Sequence, residues 1–258
     1  MAVVPSSTTC AHLIQAYTED AFLARIVSGY VAEGLARGEG AVVVAAPTHE
    51  RLVTERLDAA GVDVPGAVGA GQLLLLDAER TLSRFLVDGR PDRTTFLAVV
   101  AAALDHVRTA GYHAIRIYGE MVDLLWPRDV EATLELEGLW NDALERERVS
   151  LLCAYRLDPL DRHAKGVLRQ VTHRHSQLLP ADDPERLEDA VDRAYAEVFG
   201  VSGDVAALRE LMASRHARGP AVSSAHAALF ALDDMPPLIA NDIRTRARQY
   251  YRAAPGAA

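Results

Sequence analysis

Lysine is almost missing from this 258-residue chain: Lys165 stands alone among 27 basic residues, the others being arginine. Cysteine is scarce too, with only Cys10 and Cys153, far apart and outside any C-x-x-C pattern. Two such thiols make no disulfide framework and are expected to be reduced. Positive charge is in deficit, at a net −9, which speaks against a nucleic-acid partner because phosphate recognition needs a clustered basic surface. No apolar run approaches the roughly 20 residues of a membrane span. The first nine residues lack the basic-then-apolar layout of an export signal. The expectation is a cytoplasmic protein with no membrane and no nucleic-acid partner.

Half of the residues are apolar and 24% are charged, enough for one sizeable core with or without an appendage. From 12 to 157 apolar runs alternate with helical patterns. Strands are expected at 12–17, 41–46, 73–77, 115–118 and 151–155, their continuous apolar character suiting burial on both faces. Between them helices are expected at 21–37, 48–60 with Thr48 as its cap, 79–87, 94–110 and 130–146. This alternation predicts an α/β three-layer sandwich with a mostly parallel sheet.

Beyond Pro159 no strand-like run is read. Helices are expected at 161–176, 184–199, 205–214, 224–232 and 237–251. Asp183-Pro184-Glu185 is a strong helix start, and Leu187, Ala190, Val191, Ala194, Tyr195, Val198 and Phe199 form one apolar stripe ending at Gly200. That stripe suits a homodimer or docking within the chain, and periodicity does not choose between them. The expected domains are 9–180, an α/β domain, and 181–258, a helical region.

Val31 to Pro47, "VAEGLARGEGAVVVAAP", is similar to the helix and second strand that follow the phosphate loop in KaiC-like and RecA-like ATPases. A working loop would read G-x-x-x-x-G-K-[ST], with its lysine on the phosphates. Tyr17-Thr18-Glu19-Asp20 stands there instead, without glycine and with carboxylates where an anion would sit. Lys165, between Ala164 and Gly166, lies in the wrong region. ATP hydrolysis by that route is not expected.

A more specific resemblance covers roughly 12–180. The blocks "HLIQAYTEDAFL" (12–23), "EGLARGEGAVVVAAPTH" (33–49), "GQLLLLDAERTLSRFLVDGRPD" (71–92), "IYGEMVDLLW" (117–126), "LEGLWNDALE" (136–145), "SLLCAY" (150–155) and "HSQLLPADD" (175–183) fall in order and resemble the MEDS (DcmR-like) sensory domain. The resemblance implies a KaiC/RecA-like fold without ATPase motifs, and a sensor of small molecules such as hydrocarbon derivatives. It also implies a role in signal transduction or transcription regulation. Members are often joined to DNA-binding or kinase domains. Neither is expected here, given the acidity and the lack of ATP-lid glycine boxes. Output would then pass through the helical tail or a separate protein partner.

In parallel α/β sheets ligands lie beyond the carboxyl ends of the strands. That criterion, with the family blocks, selects His12, Tyr17, Glu120, Met121, Trp126 and Tyr155 as candidate ligand-binding residues. Glu120 reads either as a carboxylate facing the pocket or as a cap on the next loop; His12 reads as a ligand contact or a core histidine. Convergence of His12, Glu120 and Cys153 on a metal has no close-spaced ligand set behind it, so no metal or other cofactor is expected. Cys153 reads as an inert buried thiol and Trp140 as core. His173 and His175 read as solvated or capping. A second function class is an enzyme using Glu120 as general base with His12 or Tyr17, though no nucleophile motif supports it. A third is a pure interaction scaffold.

Overall fold

The computed structural model describes residues 11–161, 166–200 and 221–253, together with 207, 211 and 214. Cys10, Lys165, the start of the helix expected at 161–176 and most of the helix expected at 205–214 lie outside the described residues. The chain divides into two compact units, Met1–Arg156 and Leu157–Ala258.

In the first unit the elements run β1 (His12–Tyr17), α1 (Asp20–Ala36), β2 (Gly40–Ala45), α2 (Pro47–Ala59), α3 (Val64–Gly69) and β3 (Leu73–Asp77). They continue with α4 (Ala78–Ser83), β4 (Leu86–Val87), β5 (Arg90–Pro91), α5 (Arg93–Thr109), β6 (Ile115–Gly119), α6 (Met121–Leu125), α7 (Val130–Glu147) and β7 (Ser150–Arg156). The long strands form a parallel sheet in the order β3-β2-β6-β7-β1. Val42 sits opposite Leu74 and Ile117, Ile117 opposite Leu151, and Leu151 opposite His12.

Because side chains alternate along a strand, this register fixes two faces. One carries His12, Val42, Ile117, Leu151, Cys153 and Tyr155 and is covered by α5 and α7. The other carries Tyr17, Arg116 and Tyr118 and is covered by α1 and α2. Three layers with a parallel sheet are as expected, and double coverage explains the unbroken apolar runs.

Three local expectations need correction. The helix expected at 79–87 ends at Ser83, and Leu86–Val87 pairs antiparallel with Arg90–Pro91. The turn between them is Asp88-Gly89, with φ of 50° and 79°, the doubly positive turn whose twist matches a hairpin. The cap of α2 is Ala46, not Thr48: Pro47 takes the first helical position, where a missing N–H costs nothing. The short helix α3 was not anticipated; Asp63 caps it by accepting from the Gly66 N–H.

The second unit contains α8 (Val167–Thr172), β8 (Gln177–Leu178), α9 (Pro184–Phe199), α10 (Ser224–Ala231), a 3-10 turn at Leu232–Asp234 and α11 (Pro237–Arg252). The strand-free expectation for this region is therefore wrong at Gln177–Leu178, where the Leu178 N–H donates to the Ala221 carbonyl at 2.9 Å. Two residues are too few to leave a period in the sequence. The expected stripe on α9 is the core here: Leu187, Val191 and Tyr195 pack with Leu229 of α10 and Ile243 of α11, while Phe199 remains exposed. Asp183 caps α9 as expected. Among the described residues no helix is long and apolar enough to cross a membrane.

The hairpin offers a direct check on the turn. No atom lies within 4 Å of a Cβ added at Gly89, so a substitution there meets backbone strain alone. Gly89→Ala is expected to lower stability by about 1 kcal/mol and Gly89→Asn by less, since asparagine tolerates the left-handed region. Urea unfolding with an unchanged m value would report both.

Candidate functional site

Two polar clusters lie on opposite faces of the sheet, and a small apolar cavity occupies one of those faces. The first cluster gathers at the carboxyl ends of the strands. Glu120 directly follows β6 and is buried. Its Oε1 accepts the Ala46 N–H at 2.6 Å, and its Oε2 lies 2.8 Å from His49 Nδ1 and accepts the Tyr118 hydroxyl at 3.0 Å. The far side of the same imidazole, Nε2, is 3.3 Å from Asp20. An imidazole between two carboxylates favours its proton: the hydrogen bond to Glu120 raises the His49 pKa above 6.5, against the opposing effect of burial.

Asp123 organises the rest of this edge. It accepts from the Tyr17 hydroxyl at 2.8 Å, the Trp126 indole N–H at 3.0 Å and the Arg156 backbone N–H at 2.6 Å. Burial raises its pKa, and the backbone donor at Arg156 works against that rise. Burial, then the charge of Asp123, likewise pushes the Tyr17 phenol up. The Arg156 guanidinium lies over the Tyr17 ring at 4.9 Å and pairs with Asp20. A carboxylate thus already occupies the amino-terminal end of α1, where an anion would otherwise be held.

The second cluster lies under α7. Glu137 is fully buried; its Oε2 is 3.2 Å from His12 Nε2, and its Oε1 accepts from the Tyr155 hydroxyl. His12 Nδ1 is 2.9 Å from Asn141 Oδ1, and the Cys153 sulfur is 3.4 Å from His12 Nε2 and 3.8 Å from Glu137 Oε2. Burial, then the charge of Glu137, holds the Cys153 thiol well above its usual range.

On the same face as this second cluster is a cavity with about 20 Å³ of space for the centre of a water-sized molecule. Val44, Leu76 and Met121 line it near the carboxyl ends of the strands; Phe96, Ala103 and Trp140 line it from α5 and α7. Phe96 stands edge-on to Phe85 and to Trp140, with ring centroids 5.2 and 5.0 Å away.

The six candidate residues therefore separate. Tyr17, Glu120 and Trp126 belong to the edge cluster, Met121 to the cavity, and His12 and Tyr155 to the cluster under α7. His12 and Cys153 do converge, with Glu137 and not with Glu120, because strand alternation puts Glu120 with Tyr118 on the other face. Trp140 is core and also cavity wall. Within the second unit, His173 is exposed and bonds the Arg169 carbonyl, whereas His175 is buried and bonds the Val171 carbonyl, both at 2.7 Å. Of the two readings, solvated or capping, both histidines fit the second, bonding carbonyls in the last turn of α8, and His175 is buried rather than solvated. His49, Asp123, Glu137 and Asn141 were missed. Glu137 had a signal: a carboxylate inside the otherwise buried stripe Thr133, Leu136, Trp140.

The His49 environment has a signed pH dependence. A folded pKa above the unfolded 6.5 means that its stabilising contribution is complete below about 6.5 and is lost as pH rises through the folded value. Urea midpoints measured across that window should fall more in the wild type than in His49→Asn. Imidazole NMR titration should show a His49 midpoint above 6.5, moving down in Glu120→Gln.

No curated protein matches the chain. A family model does, over residues 11–176: MEDS, the methanogen/methylotroph, DcmR sensory domain. The match spans the first unit from the start of β1 and extends into the second as far as residue 176. It bears out the resemblance read from the sequence blocks, and the chain belongs to the MEDS family of sensory domains.

Proposed function

We propose that this chain is a non-catalytic sensory module whose first unit takes up a small, largely apolar molecule between the sheet and the α5/α7 layer. One observation carries the reading: in a member of a sensory family, the core keeps a cavity walled by Val44, Leu76, Phe96, Ala103, Met121 and Trp140. The void is about the size of one water molecule, so a guest enters as the Phe96 and Trp140 side chains give way; apolar cavities stay dry and accept apolar guests. Its walls rise to the carboxyl ends of β2 and β3 and to Met121 after β6, the end of a parallel sheet where ligands collect.

The state of Glu120 favours sensing over catalysis. The Ala46 N–H, the Tyr118 hydroxyl and the His49 ring already bind its two oxygens, so the carboxylate is spent on structure. A general base needs a lone pair directed at a substrate proton. Tyr17, Trp126, Asp123 and Arg156 form the polar edge above, at the point where the chain leaves the first unit. In this reading a change at that edge is passed on through the helices of the second unit or to a separate protein partner.

The test is binding of a one- or two-carbon halogenated hydrocarbon such as dichloromethane, followed by Trp140 fluorescence in a Trp126→Phe background. Near saturation the ligand should raise Tm by several degrees, the size expected when a ligand present at about 100 times its Kd binds only the folded state. Ala103→Leu, which fills the cavity, should remove both the fluorescence response and the shift. Equal responses in wild type and Ala103→Leu would sink the reading.

A further inference from the structure

His12, Glu137 and Cys153 present an imidazole nitrogen, a carboxylate oxygen and a sulfur to one another in the interior of the first unit, their ligand atoms all within 4.8 Å. We propose that these three side chains bind a divalent metal ion of borderline softness, zinc being the best match, at a site outside the apolar cavity. The argument rests on spacing. With tetrahedral angles and ordinary zinc bond lengths, about 2.0 Å to nitrogen or oxygen and 2.3 Å to sulfur, ligand atoms stand about 3.3 Å apart for N and O and about 3.5 Å apart for either with S. The distances here are 3.2 Å between His12 Nε2 and Glu137 Oε2, 3.4 Å between His12 Nε2 and Cys153 Sγ, and 3.8 Å between Glu137 Oε2 and Cys153 Sγ. Each of the three is within about 0.3 Å of the tetrahedral separation.

The groups behind these atoms suit ligation as well. A metal-binding histidine usually donates its other ring N–H to an oxygen, which fixes the tautomer and aims the free lone pair. Here Asn141 Oδ1 stands 2.9 Å from His12 Nδ1 and leaves Nε2 facing Glu137 and Cys153. Ligating carboxylates are themselves hydrogen-bonded, and the Tyr155 hydroxyl donates to Glu137 Oε1 while Oε2 is turned toward His12 Nε2 and Cys153 Sγ. One thiolate and one carboxylate match the charge of a divalent cation, and binding releases the Cys153 proton to solvent. Carboxylate, imidazole and thiolate together exclude magnesium and calcium, which take oxygen ligands, and suit zinc. Three ligands leave one tetrahedral position for a fourth group.

The experiment uses the full chain. Elemental analysis of protein purified without chelator should find one zinc per chain, and Cys153→Ser, His12→Gln and Glu137→Gln should each lose it. Cobalt(II) added to metal-stripped wild type should give a thiolate-to-cobalt charge-transfer band together with the visible absorption of a tetrahedral ion. Asn141→Ala keeps all three ligands and should weaken cobalt binding 10- to 100-fold, the usual cost of removing a group that orients a ligand. The wild-type spectrum needs no variant to fold. Absence of both zinc and a thiolate–cobalt band in protein with native circular dichroism would overturn the proposal, as would a cobalt spectrum unchanged in folded Cys153→Ser.

Discussion

The structure of the first unit turns on the need to satisfy two buried carboxylates, one on each face of the sheet. Glu120 is 2% exposed and Glu137 is 0% exposed. An unpartnered ion at either place would cost several kcal/mol, a large share of the net stability of a domain. Partners must therefore be brought from other elements. Glu120 draws in the Ala46 N–H, His49 of α2 and Tyr118, tying the end of β2 and the start of α2 to the end of β6. Glu137 draws in His12 of β1 and Cys153 and Tyr155 of β7, fixing α7 over these two strands. Hydrophobic burial supplies most of the driving force. These directional contacts decide where along the sheet the helices rest.

A third buried charge sits on the α1 side. Arg116 points into that layer and meets Glu39, Glu33 and the Tyr30 carbonyl, with its guanidinium 5.1 Å from the centre of the Tyr30 ring. Gly34 makes room for it, since a Cβ there would lie 2.8 Å from Arg116 Cδ. Both faces thus carry polar anchors, and the face that holds the Glu137 cluster also holds the aromatic wall and the apolar cavity.

The strands were legible because burial makes them largely apolar, as in the Val42-Val43-Val44 and Leu73-Leu74-Leu75-Leu76 runs, with His12, Gln15 and Arg116 the polar exceptions in β1 and β6. Strand order was not, for nothing in a parallel strand names its neighbour. The hairpin was misread because Leu82, Phe85 and Leu86 keep helical spacing, while Asp88-Gly89 carried the decisive signal. At the candidate sites, family blocks pointed to His12 and Glu120, but not to which residues they meet. Strand parity separates Glu120 from Cys153, and only the three-dimensional register reveals that His12 and Cys153 face α7. Glu137 was readable in principle, as an acid inside a buried stripe, and was passed over because its neighbours looked like ordinary core.

Within a single turn, α7 contributes Glu137 and Asn141 to the cluster beneath it and Trp140 to the cavity wall. A helical turn of hydrogen-bonded backbone moves as one stiff piece. A rotation that shifts the indole in the cavity must also shift the carboxylate and the amide that hold His12. For the proposed guest and the proposed ion this shared turn implies coupling: by thermodynamic reciprocity, a change that one makes in the affinity of the other through it is returned by the same factor.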